Sequence, residues 1–79
     1  MNNTDKQRLA YDLMEEFRNK VRSEFWDCLS VEELGEKYCS LIVDLRVLYD
    51  YDLINEGQKS SLLEWLNENY ALEISDNGD

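Results

Sequence analysis

The stretch from Val31 to Tyr51 limits the folds open to this chain more than any other, because it is apolar on two sides of a helix rather than one. At about 100° per residue, Val31, Leu34, Tyr38, Leu41, Ile42, Leu45, Leu48 and Tyr49 fall within one arc, the core stripe of an amphipathic helix. Cys39, Val43, Val47 and Tyr51 follow one another at four-residue steps. They form a second row well round the helix from the first, since residues four apart stack on one face. No period-two alternation runs through the stretch, which excludes a strand. A helix apolar on most sides is ordinarily buried, so the expectation is a central helix covered on each side by a neighbour. The alternative is that the ridge of Cys39, Val43, Val47 and Tyr51 is an oligomer or partner surface.

The flanking segments supply two neighbours. Thr4 with Gln7 is a capping-box pair, and Asp5 suits the first turn of a helix. From there Ala10, Leu13, Met14, Phe17, Val21, Phe25 and Cys28 recur at alternating steps of three and four, with Leu9 at the edge. Arg8 with Asp12 and Glu16 with Lys20 are i,i+4 pairs on its outer side. Trp26 falls off this stripe; packing against the following turn is expected, with a partner-facing anchor as the alternative. Ser30 with Glu33 is a second capping box, which breaks the helix at Leu29-Ser30 and opens the next one. Glu33 with Lys37 adds another i,i+4 pair, and Gly35 offers room for a close approach by the first helix. Leu53 and Ile54 form an apolar plug in the second connection, and Asn55 with Gln58 is a third capping box. Leu62, Leu63, Trp65, Leu66 and Tyr70 then give a third apolar arc over about 56–70, followed by Leu72 and Ile74 as an extended packing segment.

Three caps before three amphipathic stretches, joined by short connections, predict an all-α, compact three-helix bundle with antiparallel neighbouring helices. A chain of 79 residues, 43% apolar and 33% charged, suits a single small helical domain over 1–79, with 1–4 and 75–79 as flexible tails. The absence of proline and the presence of only three glycines argue against a turn-rich all-β fold.

Charge narrows the function. Eight basic and eighteen acidic residues give a net charge of −10, and Met1 to Glu24 is balanced, so the whole excess lies from Phe25 onward. Such a field repels nucleic acid and anionic membrane and attracts basic proteins. The first residues are polar with no apolar run behind them, and Leu41-Ile42-Val43 is the longest aliphatic run, so neither a signal peptide nor a membrane span is expected. Cys28 and Cys39 lack metal-ligand spacing and read as reduced thiols of a cytoplasmic protein.

An enzyme is not expected. The chain has no histidine to act as acid, base or activator of a cysteine, and no glycine-rich phosphate loop. Asp50, Asp52, Asn55 and Gly57 resemble a calcium loop only superficially, because Ile54 and Gly57 stand where that loop needs a ligand and a different glycine register. No catalytic residue, metal ligand or cofactor is assigned.

Recognition is left. Glu32, Glu33, Glu36, Asp44, Asp50, Asp52, Glu64 and Glu68 supply most of the unbalanced charge on the second and third helices. Carboxylates three or four residues apart on a helix stand about 5–6 Å from each other, on the scale of phosphates along a nucleic-acid strand. Such a scaffold suits a non-enzymatic inhibitor that fills the basic groove of a nucleic-acid-handling protein, such as a nuclease, by mimicry. The other reading is a homodimeric helical adaptor or regulatory subunit that pairs through Cys39, Val43, Val47 and Tyr51. In size, charge and helical content the chain is similar to small phage-encoded inhibitors of host defence nucleases and to bacterial immunity proteins. That similarity implies a basic protein partner and covers no motif, so it assigns no residue.

Overall fold

Capping chemistry sets where the second and third helices begin. The computed structural model describes residues 3–78, with side chains over 5–76, and contains α1 (Asn3–Trp26), α2 (Val31–Asp50) and α3 (Glu56–Gly78). Ser30 holds an extended backbone, and its Oγ accepts from the Glu33 amide at 3.2 Å. Glu33 Oε2 reaches back to the Leu29 amide at 2.9 Å rather than to that of Ser30, so the box is displaced by one residue. At α3 the box is fully reciprocal: Asn55 Oδ1 accepts from the Gln58 amide at 2.7 Å, and Gln58 Oε1 accepts from the Asn55 amide at 2.8 Å. The described part of α1 begins at Asn3, and the expected pairing of Thr4 with Gln7 lies outside the described side chains.

The end of α2 is a Schellman turn. The Leu53 amide donates to the Leu48 carbonyl and the Asp52 amide to that of Tyr49, both at 3.0 Å, with Asp52 at φ 61°. Glycine usually takes this left-handed position; a short polar side chain is the next best occupant. Ile54 is then buried under the bundle, as an apolar plug should be.

Side-chain pairs between helices give the topology. Lys6 meets Asp52 and Lys20 meets Asp44, so α1 and α2 run antiparallel. Tyr38 stacks on Tyr70 while Lys59 sits over Tyr49, so α2 and α3 are antiparallel too. Arg22 lies over Trp65 and Phe25 meets Tyr70, which brings α1 and α3 side by side and parallel. The protein is therefore an all-α three-helix bundle, triangular in section, with no strand among the described residues. Its core is Ala10, Met14, Phe17, Val21 and Phe25 of α1, Leu34, Leu41 and Leu45 of α2, Ile54, and Leu62 and Leu66 of α3.

The triangle corrects several expectations. Three mutually packed helices have no middle one, so α1 and α3 both pack on one arc of α2, and the Cys39–Tyr51 ridge is left uncovered. Gly35 faces α3: a Cβ there would lie 3.5 Å from Tyr70 Oη, so α3 and not α1 makes the close approach. Val31, at the edge of the arc, is exposed. The i,i+4 pairs of Arg8, Glu16 and Glu33 do not form, because Lys20 turns to Asp44 across the helix boundary and Glu33 is engaged at the cap. Arg18–Glu15 and Arg46–Asp50 form instead.

The third helix is longer than expected. Leu72, Ile74 and 75–78 continue α3 as helix rather than forming an extended segment and a tail. Since Tyr70 stacks on Tyr38 of the antiparallel α2, the residues after it run alongside the first two turns of α2, and Glu73 and Ile74 are half-buried there. The bundle is 49 Å long with cross-sections of 17 Å. The expected tails at 1–2 and 79 lie outside the described residues, and Asn3 and Thr4 are helical.

Candidate protein-binding surface

Val43 points almost straight away from the Leu34–Leu41–Leu45 seam, by the 100° rotation of each helical step. It is 59% exposed, Tyr51 is 74% exposed, and Cys39 and Val47 are also exposed. Val47 sits at the shoulder of a shallow groove between α1 and α2, beside Phe17 and Leu48. Glu32, Glu36 and Asp50 fall on this same outward face. The apolar ridge and part of the acidic set are thus one surface, with carboxylates at its two ends and apolar side chains between them.

The structure separates the other acidic residues. Glu33 is bound at the α2 cap. Asp44 holds Lys20 at 2.6 Å across to α1, and this hydrogen bond raises the Lys20 pKa against the opposing effect of desolvation. Asp52 shapes the Schellman turn and meets Lys6 at 3.3 Å. Asp50 lies 3.9 Å from Arg46. Glu64 and Glu68 stand on the side of α3 opposite the buried Leu62 and Leu66, so they face a different direction from the α2 ridge. Of the eight, Glu32, Glu36, Glu64 and Glu68 make no ion pair among the described residues. Much of the scarce positive charge is already engaged: Lys6, Arg18, Lys20 and Arg46 in ion pairs, Arg22 and Lys59 over aromatic rings.

Exposed apolar side chains also gather at the α1–α2 turn. Trp26 is 85% exposed, so it does not pack on the following turn, and Arg22 one turn before it lies over Trp65 of α3. Leu29 is 88% exposed, and so it does not staple onto Leu34 behind the Ser30 cap. Sequence reasoning missed Leu29 and the exposed Leu72 near the end of α3. Both stand next to expected helix ends, where either orientation satisfies the helical period.

Beside the outward face, Glu32, Gly35, Glu36, Tyr38, Cys39 and Tyr70 line an open groove between α2 and α3. Tyr38 and Tyr70 stack with ring centroids 4.2 Å apart, and the Tyr38 hydroxyl donates to Asn67 Oδ1. The two cysteines differ. Burial pushes the Cys28 thiol up, helped by the Glu33 carboxylate, and its Sγ donates to the Glu24 carbonyl at 3.2 Å. Cys39 is exposed on the groove edge. Among the described residues, no group of three His, Cys, Asp or Glu side chains is placed to hold a metal, and no helix is long and apolar enough to cross a membrane. No protein-family model, curated protein or solved structure matches the chain, so the functional reading rests on the surface just described.

Proposed function

We propose that this is a non-enzymatic acidic binding protein that inhibits or masks a basic partner, docking through the outward face of α2. The observation that carries the reading is the uncovered ridge of Cys39, Val43 and Val47, with Glu32 and Glu36 at one end and Asp50 at the other. A cytoplasmic nucleic-acid-handling protein, such as a nuclease, offers the matching positive charge, and opposite charge speeds encounter. Glu36 and Asp50 are fourteen residues apart, about 21 Å along the helix, with apolar side chains between them. This pattern favours a partner groove with an apolar floor and basic rims over a plain phosphate channel, so mimicry would be confined to the ends of the face.

The alternative is a homodimer joined through the same ridge. Bringing together two copies of net charge −10 works against it. Both readings are separable. Sedimentation reports a monomer under the first and a dimer under the second. Capture of a basic partner should fall steeply from about 0.05 M to about 0.5 M salt, since screening shortens the reach of these charges. Val43→Glu should reduce capture while leaving the helical content intact. Salt-insensitive capture, or a stable dimer that Val43→Glu converts to monomer, would replace the first reading with the second.

A further inference from the structure

A stable protein interface buries about 800 Å² on each partner. The outward face of α2 is about 30 Å long and roughly 10 Å wide, only a few hundred Å². A partner that docks there must therefore spread onto a flank. On the α1 flank the shallow groove beside Phe17, Val47 and Leu48 is bordered by Lys20, already paired with Asp44, and among the described residues it offers a basic partner no unpaired carboxylate beyond Glu16. On the α3 flank lies the open groove of Gly35, Tyr38, Cys39 and Tyr70, rimmed by Glu32 and Glu36. Gly35 adds no side chain to the groove beside Tyr70, and the two glutamates stand one turn apart with no ion pair among the described residues.

We infer that this groove receives an arginine side chain of the basic partner, as the anchor of the docked face. The inference rests on the proposed docking reading and names the chemistry of its contact. A guanidinium is planar, stacks on aromatic rings and presents a fork of donors able to engage two carboxylates, whereas an ammonium is a compact, strongly hydrated charge. The chain's own cations already lie over aromatic faces elsewhere: Arg22 is 5.5 Å from the Trp65 centroid and Lys59 is 4.4 Å from that of Tyr49. Among the described residues, none lies over the Tyr38–Tyr70 pair. The carboxylates supply the attraction and the stacked rings supply a flat wall against which a cation gains further.

The test uses the intact protein and a blocked amphipathic helical peptide bearing two arginines and two leucines on one face, with a lysine version as control. At low salt the arginine peptide should bind, more tightly than the lysine peptide, and should shift the Tyr38 and Tyr70 ring signals in NMR spectra. Replacing both groove carboxylates (Glu32→Gln with Glu36→Gln) should weaken binding about tenfold or more, as expected when charge-assisted bonds are lost. Glu64→Gln with Glu68→Gln removes the same charge from another face and should weaken it only about two- to threefold, through the long-range field. A bulky maleimide on Cys39 should block binding without any substitution. If the two double variants lose affinity equally, or the Cys39 adduct binds as before, the groove is not the anchor while acidic docking stands. If neither peptide binds at low salt, the groove and the docking reading both fall.

Discussion

Leu41 and Val43 stand two residues apart on α2 and meet opposite environments: Leu41 is sealed in the core and Val43 is mostly in water. Both rows of α2 are apolar and both keep helical spacing, yet only one is used by the fold. The difference teaches that apolar character states a requirement for cover without naming what covers it. Inside, α1 and α3 supply the cover. Outside, nothing in the chain does, and carboxylates at both ends of the ridge give the uncovered row a charge preference.

The comparison breaks first on stability. Leu41→Ala should lose about 2–5 kcal/mol, since it leaves a cavity in a close-packed core. Val43→Ser should stay within about 0.5 kcal/mol, as surface changes do. Urea denaturation of both variants checks the pair, and a comparable loss at Val43 would mean that the outward face is covered in solution. The two thiols extend the same test to reactivity. Because the thiolate is the reactive form, the raised pKa of Cys28 leaves less of it at neutral pH, and burial restricts access further. Cys39 should therefore be alkylated at least about tenfold faster, read by mass spectrometry of the intact protein and its peptides.

Gly35 lies at the border between the two faces. A Cβ there meets the Tyr70 hydroxyl at ordinary contact distance, so Gly35→Ala fits. It should raise stability by up to about 1 kcal/mol through helix propensity. A loss instead would mean that α3 packs closer to α2 than 3.5 Å implies. The thermal midpoint of the variant decides it.

The inner row was legible in the sequence because period and packing coincide there: Phe17, Val21, Leu34, Leu41 and Leu45 sit where the helical stripe puts them. Two of the three capping boxes were legible for a similar reason, since they are local reciprocal bonds that need no tertiary partner. The fate of Val43 was not legible, because it depends on whether three helices form a layer or a triangle, a long-range choice that no window of residues contains. The acidic set divided for a related reason. Asp44 and Asp52 found cations on α1, and pairing across helices is invisible to i,i+4 spacing. The extent of α3 past Tyr70 was hidden because Leu72 and Ile74 stand two residues apart, a spacing that suits an extended segment as well as it suits a helix.

The smallest expected effect lies at the other border of the two faces, where Lys20 meets Asp44. Both side chains are substantially exposed, so solvent screens the pair and the coupling should be below about 1 kcal/mol. Its pH dependence has a definite sign. The folded-state pKa of Lys20 is raised above the unfolded value of 10.5, chiefly by the hydrogen bond it donates to Asp44. The associated stability is therefore fully present below 10.5 and is lost as pH rises through the folded pKa. A double-mutant cycle of Lys20→Met and Asp44→Asn isolates this term from the change in net charge. The coupling should be the same at pH 6 and 8, shrink above the lysine range, and fall with added salt. A coupling that persists in strong alkali would mean that the contact is held by packing of the lysine stem against Phe17 and Leu48, and that the border of the inner face lies further out than the ion pair marks.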